Sequence, residues 1–338
     1  SLSLPSCLIT CRESISVMLA STPTASRPSH RLHGVLPIVH VPFTSDDRID
    51  RTAFRRSIDW AFSVGAVGMG TGMVSELLRL TYAERLELTE LLVESAAGRG
   101  PVFAAVGAES TKQSLEYAAA AERAGCDGVM AVPPLMTRLS VEGMVAHYRT
   151  LADGVGIPII VQDASGYVGQ SIPLAVCVEL LERYGNEKIV FKPEGSPIGP
   201  QLSALRDATG GRARIFEGSG GILLVDSYRR GVAGTMPGMD LLDGVVLLWQ
   251  ALERCDDDGA YRLSFPISAI VALQLQAGLD GFLAIEKHLM VRRGLFADAR
   301  RRRPYSWDPD AETLAEVDRL FERLEHEVRR AAAARSEA

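Results

Sequence analysis

The chain has 338 residues, of which 47% are hydrophobic and 23% charged, and its formal net charge is −6. A mildly acidic chain lacks the basic stripe of a nucleic-acid binder, so we expect no nucleic-acid partner. No apolar run reaches the roughly 18 residues that a membrane span needs, so we expect no membrane partner. Five scattered cysteines without a CxxC pair are typical of a reduced, cytoplasmic protein.

The first residues differ in composition from the rest of the chain. Residues 1–30 are rich in Ser, Thr and Pro and show no sustained hydrophobic period, so we predict an unstructured leader. We expect the natural start to lie nearer Met18. A transit peptide is the alternative, because arginines accompany many hydroxyl side chains in this segment.

From residue 34 onwards, short apolar runs alternate with amphipathic stretches. Eight runs are short, rich in valine and isoleucine, and mostly bounded by glycine or proline, which predicts strands. They cover residues 34–41, 65–70, 101–107, 126–132, 157–162, 188–192, 213–218 and 231–236. The intervening helical patterns include residues 82–97, 111–124, 141–152 and 173–184.

Eight strand–helix units in series predict the α/β class and a (β/α)8 TIM barrel. A doubly wound open sheet is the alternative, but it normally carries a GxGxxG phosphate loop, and the glycines of residues 67–73 do not match. The residues after the eighth run exceed one closing helix and show further helical patterns. We therefore predict a barrel over residues 31–240 and C-terminal helices over residues 241–338.

Lysine is scarce, and one lysine stands at the end of a predicted strand. Lys192 follows the apolar run 189–191, and barrel enzymes place their active sites where strands end. Burial favours the neutral amine, a nucleophile that forms Schiff bases with ketones. The alternative is a rim lysine paired with Glu194 or Glu217. Glu194 shares the side of Lys192 only if Pro193 does not end the strand.

Other strand ends offer weaker signals. Small residues over 70–76 let backbone amides approach a ligand, and Ser75 adds a hydroxyl, so this loop could cradle a carboxylate or be a plain turn. The remaining lysines fall in helix or loop contexts. His40 and the other histidines have no partners at metal-ligand spacing, and the strand ends lack a magnesium-type carboxylate set, so we expect no metal.

The ordered motifs resemble a known family. They are GVLPIVHVPFTSDDRID, GTGMVSELLRLTYAER, PVFAAVGAESTKQSLEYAAAAERAGCDGVMAVPP, IPIIVQDASGYVG, IVFKPE, and FEGSGG followed by GVAGTMPG. In order and spacing, roughly residues 33–295 resemble the dihydrodipicolinate synthase / N-acetylneuraminate lyase superfamily of class I aldolases and dehydratases. The resemblance implies a TIM barrel, a homotetramer or homodimer, no cofactor, and a small 2-oxo acid substrate bound as an imine to the strand-six lysine, which is Lys192.

Several positions depart from the family's pattern. The loop that usually reads Gly-Thr-Thr-Gly-Glu is Gly-Met-Val-Ser-Glu here, which leaves its hydroxyl on Ser75 and places Val74 before it. The proton-relaying tyrosine is replaced by Gln162, which is neither an acid nor a base. The arginine five residues further on is Tyr167. These departures argue against a lysine-biosynthesis synthase.

The VQDA segment, the serine before the loop glutamate and the FEG…GTM pairing look most like the branch that dehydrates 2-keto-3-deoxy sugar acids. We therefore expect a Schiff-base lyase of the hydro-lyase type. Retro-aldol cleavage to pyruvate and an aldehyde, or a non-catalytic barrel that binds a 2-oxo acid, are the alternatives. Our predicted catalytic residues are Lys192, Ser75 and Glu217, and our predicted substrate-binding residues are Val74, Gln162, Tyr167, Ser219 and His40.

Overall fold

A computed structural model describes residues 32–336 of the chain, so the predicted leader over residues 1–30 lies outside the described residues. Eight parallel strands follow one another in the order that the apolar runs predict. Their bounds are β1 Gly34–Val35, β2 Met69–Gly70, β3 Val102–Ala105, β4 Gly128–Ala131, β5 Ile159–Asp163, β6 Ile189–Pro193, β7 Phe216–Glu217 and β8 Gly234–Thr235.

The strands close into a ring. One ladder runs β2-β3-β4-β5-β6, and the other runs β1-β8-β7. Parallel bridges between Ile38 and Gly70 and between Phe191 and Ile215 join the two ladders at both edges. Closure leaves no sheet edge exposed, and the predicted TIM barrel is confirmed.

The interior of the barrel is a packed apolar core and not a channel. Every second residue of a strand points inward, and the inward side chains form one cluster, each at most 3% exposed. They are Leu32, Leu36, Ile38, Phe103, Met130, Ile160, Val190, Phe216 and Met236. Polar chemistry is therefore confined to the ends of the strands, as in other barrels of this type.

Helices surround the barrel and extend beyond it. The ring helices are α1 Arg51–Ser63, α2 Tyr82–Ala96, α3 Thr111–Ala124, α4 Val141–Gly154, α5 Leu174–Tyr184, α6 Ile198–Ala208, α7 Leu224–Arg229 and α8 Leu242–Glu253. The extension comprises α9 Asp257–Leu275, α10 Gly278–Arg292 and α11 Ala311–Ser336. Within the described part of the chain, no helix has both the length and the apolarity to cross a membrane.

Helix α8 packs against β1 as well as against α9 and α11. It therefore stands where the eighth helix of a barrel is expected, and the division that the sequence suggests at residue 240 stays a prediction. The predicted C-terminal extension is present, and α10 lies against the short 3-10 turn Met73–Ser75 that follows β2. The extension thus reaches the end of the barrel where the strands finish.

A buried ion pair ties α10 to the loop after β2. Lys287 is 0% exposed and Glu76 is 2% exposed. The ammonium of Lys287 donates to Glu76 and, at 2.7 Å, to the carbonyl of Arg300. Glu76 also accepts from the amide of Arg302 at 2.7 Å. The pair therefore joins three parts of the chain around one carboxylate.

We expect Lys287→Met to lower the free energy of unfolding by about 3–5 kcal/mol, because it leaves the Glu76 carboxylate buried without its cation. The midpoint and slope of denaturant unfolding measure this loss. The double variant Glu76→Gln/Lys287→Met removes both charges, so it is expected to be less destabilised than the single variant. An equal loss in the two variants would show that the charge pairing itself contributes nothing.

Candidate active site

Lys192 lies at the carboxyl end of β6, opposite Gln162 of β5 in the ladder. Its side chain is only 4% exposed, and its Nζ atom lies 3.1 Å from Oε1 of Glu194. Pro193 still pairs with Asp163 of β5, so the strand continues and carries Glu194 to the side of Lys192. Of the two partners that the sequence left open, the structure selects Glu194 and not Glu217.

Glu194 is buried in a polar network. Gln162 donates its amide to Oε2 of Glu194 at 2.6 Å, and the hydroxyl of Tyr167 donates to Oε1 at 3.3 Å. Burial raises the pKa of Glu194, while the Lys192 ammonium and the Gln162 amide oppose this shift. A carboxyl group beside an amine, with its pKa moved towards neutrality, can exchange protons with that amine or with a bound substrate.

Tyr167 replaces the family's arginine and lines the same pocket. Burial of its hydroxyl and the neighbouring Glu194 raise its pKa well above the ordinary value. The hydroxyl accepts from Gln162 at 3.3 Å and donates to Glu194. Tyr167 and Gln162 therefore hold Glu194 as neutral hydrogen-bond donors. These two predicted substrate-binding residues belong to one hydrogen-bond network around Glu194.

Gly218 follows β7 and faces this pair of residues. A Cβ atom at Gly218 would lie 2.6 Å from Cε of Lys192 and 2.6 Å from Cγ of Glu194. Contacts this short force a neighbour to move. The absence of a side chain at residue 218 is thus what lets the two side chains lie side by side.

We expect Gly218→Ala to slow the trapping of pyruvate on the protein by at least about tenfold, because Lys192 and Glu194 must separate. Mass spectrometry after borohydride reduction measures the rate. Gly143→Ala is a matched control, since the atoms nearest to a Cβ position at Gly143 stand 3.6 Å away, an ordinary contact, and its φ is not positive. Equal trapping rates in the two variants would contradict the packing argument.

Glu217, a predicted catalytic residue, is 0% exposed, and its hydrogen-bond partners belong to the protein itself. It accepts from the amide of Ser219 at 2.6 Å, from the Ser219 hydroxyl, and from the Thr235 hydroxyl at 2.5 Å. These bonds tie the end of β7 to β8 and to the loop that follows. Gly218 and Gly220 line the pocket, while neither Glu217 nor Ser219 is among its lining residues.

Ser75 and Val74 stand in the 3-10 turn after β2. The hydroxyl of Ser75 donates to the carbonyl of Val39 at 2.5 Å and accepts from the amide of Gly72 at 3.1 Å. Ser75 is therefore engaged inside the loop and does not line the pocket. Met73 and Val74 do line it, so the turn reaches the pocket through these two residues.

His40 is joined to two carboxyl groups that the sequence analysis missed. Its Nε2 lies 2.7 Å from Oε2 of Glu286, and donor atoms of His40, Asp240 and Glu286 all lie within 4.8 Å of one another. Burial lowers the pKa of His40 to about 4 and raises those of Asp240 and Glu286 to about 7 and about 8.

Each member of this cluster already takes part in a hydrogen bond. Besides the His40–Glu286 bond, Asp240 accepts from Gln274 at 2.8 Å. A cation would have to displace the first of these bonds, so the arrangement fits proton sharing better than metal ligation. No local signal predicts it, since His40 and Glu286 stand 246 residues apart in sequence.

The pocket is narrow, about 40 Å³ in volume, and Leu279 and Phe282 of α10 close one side. Its charged lining residues are Lys192, Glu194 and Glu286. A wider cavity of about 250 Å³ lies on the outer side of β5 and β6, but neither lysine nor histidine lines it. The reactive groups therefore converge on the narrow pocket at the strand ends.

The fold is a parallel (β/α)8 barrel, and a buried lysine lies at the end of its sixth strand. These two features are those of a Schiff-base-forming barrel enzyme. The profile of the Dihydrodipicolinate synthetase family matches residues 31–237. The chain belongs to this family, which confirms the resemblance at the level of the superfamily. It is accordingly an enzyme of a lyase family. Kinship to the sugar-acid dehydratase branch stays a prediction.

Relatives and solved structures agree with this assignment. A 4-hydroxy-tetrahydrodipicolinate synthase of Methanosarcina mazei is 30% identical over 244 residues, covering 70% of this chain and 81% of the relative. A synthase of the same name from Methylobacterium radiotolerans is 39% identical over 132 residues, covering 39% of this chain and 44% of the relative.

Two solved structures share the fold of the whole barrel. The 4-hydroxy-tetrahydrodipicolinate synthase of Methylacidiphilum fumariolicum SolV has a TM-score of 0.80 at 22% identity, covering 90% of this chain and 99% of that one. YagE, a prophage protein of E. coli K12 in complex with pyruvate, has a TM-score of 0.79 at 20% identity, covering 87% and 99%. At these identities the likeness concerns the fold alone.

Proposed function

We propose that the protein is a Schiff-base hydro-lyase that removes water from a 2-keto-3-deoxy sugar acid bound to Lys192. The observation that carries this proposal is the buried Lys192–Glu194 pair, with Nζ and Oε1 3.1 Å apart. A nucleophile and a proton acceptor within hydrogen-bond reach of each other are the minimal machinery for imine chemistry.

Imine formation requires a neutral amine. Glu194 can take the proton of the Lys192 ammonium, and the amine then attacks the keto carbon C2. The protonated Glu194 returns its proton to the carbinolamine hydroxyl, which leaves as water. This gives the iminium ion, which withdraws electrons from its neighbour C3, and it leaves Glu194 as a carboxylate again. The carboxylate of Glu194 can therefore serve twice, first for the amine and then for the substrate.

Glu194 stands where dehydration needs a base. The carbon C3 is two bonds from the lysine nitrogen, and Glu194 contacts that nitrogen. Removal of a C3 proton by the carboxylate gives an enamine, and the electron pair then expels the hydroxyl group on C4. Retro-aldol cleavage instead needs a base at the C4 hydroxyl oxygen, which is four bonds from the lysine nitrogen and so two atoms further away than C3. The position of Glu194 thus favours the hydro-lyase reaction.

The charges of the pocket favour a substrate with one carboxylate and a neutral far end. The substrate's carboxylate would lie against the turn at Met73 and Val74, which line the pocket. The charged lining residues other than Lys192 are both glutamates, so a second substrate carboxylate would find no further cation there to pair with. A sugar acid longer than pyruvate requires Leu279 and Phe282 to move aside.

Incubation of the wild-type protein with pyruvate and borohydride tests the Schiff base. The expected result is one reduced adduct on the peptide that contains Lys192. A panel of 2-keto-3-deoxy acids then tests the reaction. A deoxypentonate is expected to lose the C4 hydroxyl as water, after which a proton moves from C5 to C3 and the enol so formed becomes an aldehyde, giving a 2,5-dioxo acid. Release of pyruvate and an aldehyde would establish retro-aldol cleavage instead. Adduct formation without any product would identify a binding protein.

We further propose that the protein acts in the cytoplasm as a homodimer or homotetramer, and exposed apolar side chains support the assembly. Phe265 of α9 is 66% exposed, and its ring centroid lies 5.7 Å from that of Tyr261, which is 38% exposed. Large apolar groups that cluster in water mark contact surfaces. Light scattering on the eluting protein would give the number of subunits, and a single-subunit mass would contradict this part of the proposal.

A further inference from the structure

A second glutamate enters the pocket from the C-terminal extension. Glu286 belongs to α10, is 2% exposed, and lines the pocket together with Lys192 and Tyr167. The charge of Lys192 acts on the carboxyl of Glu286. The pocket thus contains two buried carboxyl groups, one supplied by β6 and one supplied by a helix outside the barrel.

The two oxygen atoms of Glu286 have different surroundings. Oε2 lies 2.7 Å from Nε2 of His40, a ring that burial keeps neutral by lowering its pKa to about 4. Oε1 lies beside Gly238, where a Cβ atom would stand 2.7 Å away, and Gly238 itself lines the pocket. His40 therefore holds one oxygen, while the other lies beside a residue of the pocket wall.

We propose that Glu286 is the catalytic acid that protonates the hydroxyl group leaving C4 of the substrate. The inference rests on the proposed function and adds the second of the two proton transfers that dehydration needs. Glu194 takes the proton from C3, the enamine pair forms the C3–C4 double bond, and the C4–O bond breaks. The departing oxygen takes its proton from Glu286 and leaves as water, so atoms and charges balance.

The charge on the lysine nitrogen changes during the reaction, and this change favours the proton transfer from Glu286 at the step where water leaves. Burial raises the pKa of Glu286 to about 8, and Lys192 opposes the shift, so the acid form is present at neutral pH. The enamine nitrogen is neutral, which removes the charge that favours the carboxylate. When the hydroxyl leaves, the iminium charge returns beside Glu286 and favours loss of its proton. Exchange with solvent after product release resets both carboxyl groups.

The groups that face Glu286 come from several elements. They are His40 after β1, Lys192 and Glu194 at β6, Tyr167 after β5, and Asp240 after β8, whose pKa burial and Glu286 raise to about 7. Glu286 lies on helix α10, so the motifs at the strand ends do not predict it.

Glu286→Gln tests the assignment, because glutamine keeps the shape and cannot give up a proton. We expect unchanged trapping of pyruvate on Lys192, unchanged exchange of the C3 protons of pyruvate (its methyl group) with deuterium, and dehydration of the deoxypentonate slowed by about 10²–10⁴-fold. Glu286→Asp retracts the carboxyl by one methylene and is expected to slow dehydration at least about tenfold with trapping retained. Glu322→Gln, on the exposed face of α11, is the surface control.

Wild-type rates of dehydration in either Glu286 variant would overturn the inference while leaving the Schiff-base reaction intact. If the wild-type protein forms no adduct or no dehydrated product, the proposed function itself fails. A chelator arm separates a proton donor from a bound cation, since EDTA is expected to leave the wild-type rate unchanged. Loss of activity with EDTA, restored by a divalent cation, would reassign His40, Asp240 and Glu286 to a metal site and overturn the inference.

Discussion

Lys192→Arg is expected to abolish the borohydride-stable pyruvate adduct and to lower turnover of the deoxypentonate by about 10⁴-fold or more. Arginine keeps a cation beside Glu194, so the buried carboxylate stays paired, but a guanidinium does not deprotonate in proteins and forms no imine. The loss would therefore report on the nucleophile and not on the charge. Intact-protein mass spectrometry measures the adduct, and product analysis measures the turnover.

Lys287 makes the control for this experiment important. Burial lowers the pKa of Lys287 to about 8, so its amine is chemically competent, although Glu76 and the carbonyl of Arg300 hold it away from the pocket. Peptide mapping of the wild-type adduct distinguishes the two lysines. An adduct that persists on Lys287 in the Lys192→Arg protein would contradict the assignment. Lys112→Arg, on the exposed face of α3, is expected to trap like the wild type.

The fold was predictable where periodicity decides it. Helix α3 covers Thr111–Ala124, the range that the sequence pattern indicates. Its amphipathic pattern is bounded by Ser110, which caps the first turn, and by Gly125, which ends the helix. The strand ladders are shorter than the apolar runs. In the first run, Pro37 lacks an amide hydrogen, and the ladder of β1 stops at Val35 before the bridge at Ile38 resumes contact with β2.

The candidate site was predictable only in part. Lys192 carries a local signal, since it closes a buried run at a strand end. The sequence did not decide whether Glu194 lies on the side of Lys192, because proline usually breaks a strand. Pro193 stands at the last position of β6, where its missing amide hydrogen removes no hydrogen bond that the ladder needs. Glu217 and Ser75 have suitable chemistry but are engaged in hydrogen bonds that hold loops together. The type of a residue therefore predicts its chemistry better than its orientation.

The contribution of α10 to the pocket shows why local patterns are insufficient. Glu286 and Lys287 are neighbours on one helix, yet one enters the pocket and the other binds the loop after β2. Both side chains are ionisable and buried. A helical sequence pattern does not predict this, because the two residues are buried by the end of the barrel against which α10 packs. The extension is thus part of the candidate active site and not only a cover for it.

Glu194→Gln is expected to slow exchange of the C3 protons of pyruvate by about 10²–10⁴-fold, while the adduct on Lys192 still forms at a reduced rate. Glutamine keeps the contact with Lys192 but cannot accept a proton. Nuclear magnetic resonance in deuterium oxide follows the exchange. Glu217→Gln is the matched control, since Glu217 is also a buried glutamate at a strand end but does not line the pocket. Equal exchange in Glu194→Gln and the wild type would exclude Glu194 as the base.

The pH dependence of the two reactions tests independently whether Glu194 is the base and Glu286 is the acid. Only the carboxylate form of Glu194 removes a proton, and burial raises its pKa, so exchange is expected to increase with pH through a midpoint above the ordinary glutamate range. Dehydration also needs the acid form of Glu286, whose pKa is about 8, so its rate is expected to fall again as the pH passes that value. Exchange therefore reaches a plateau where dehydration passes through a maximum. A common profile for the two reactions would mean that one carboxyl group performs both proton transfers.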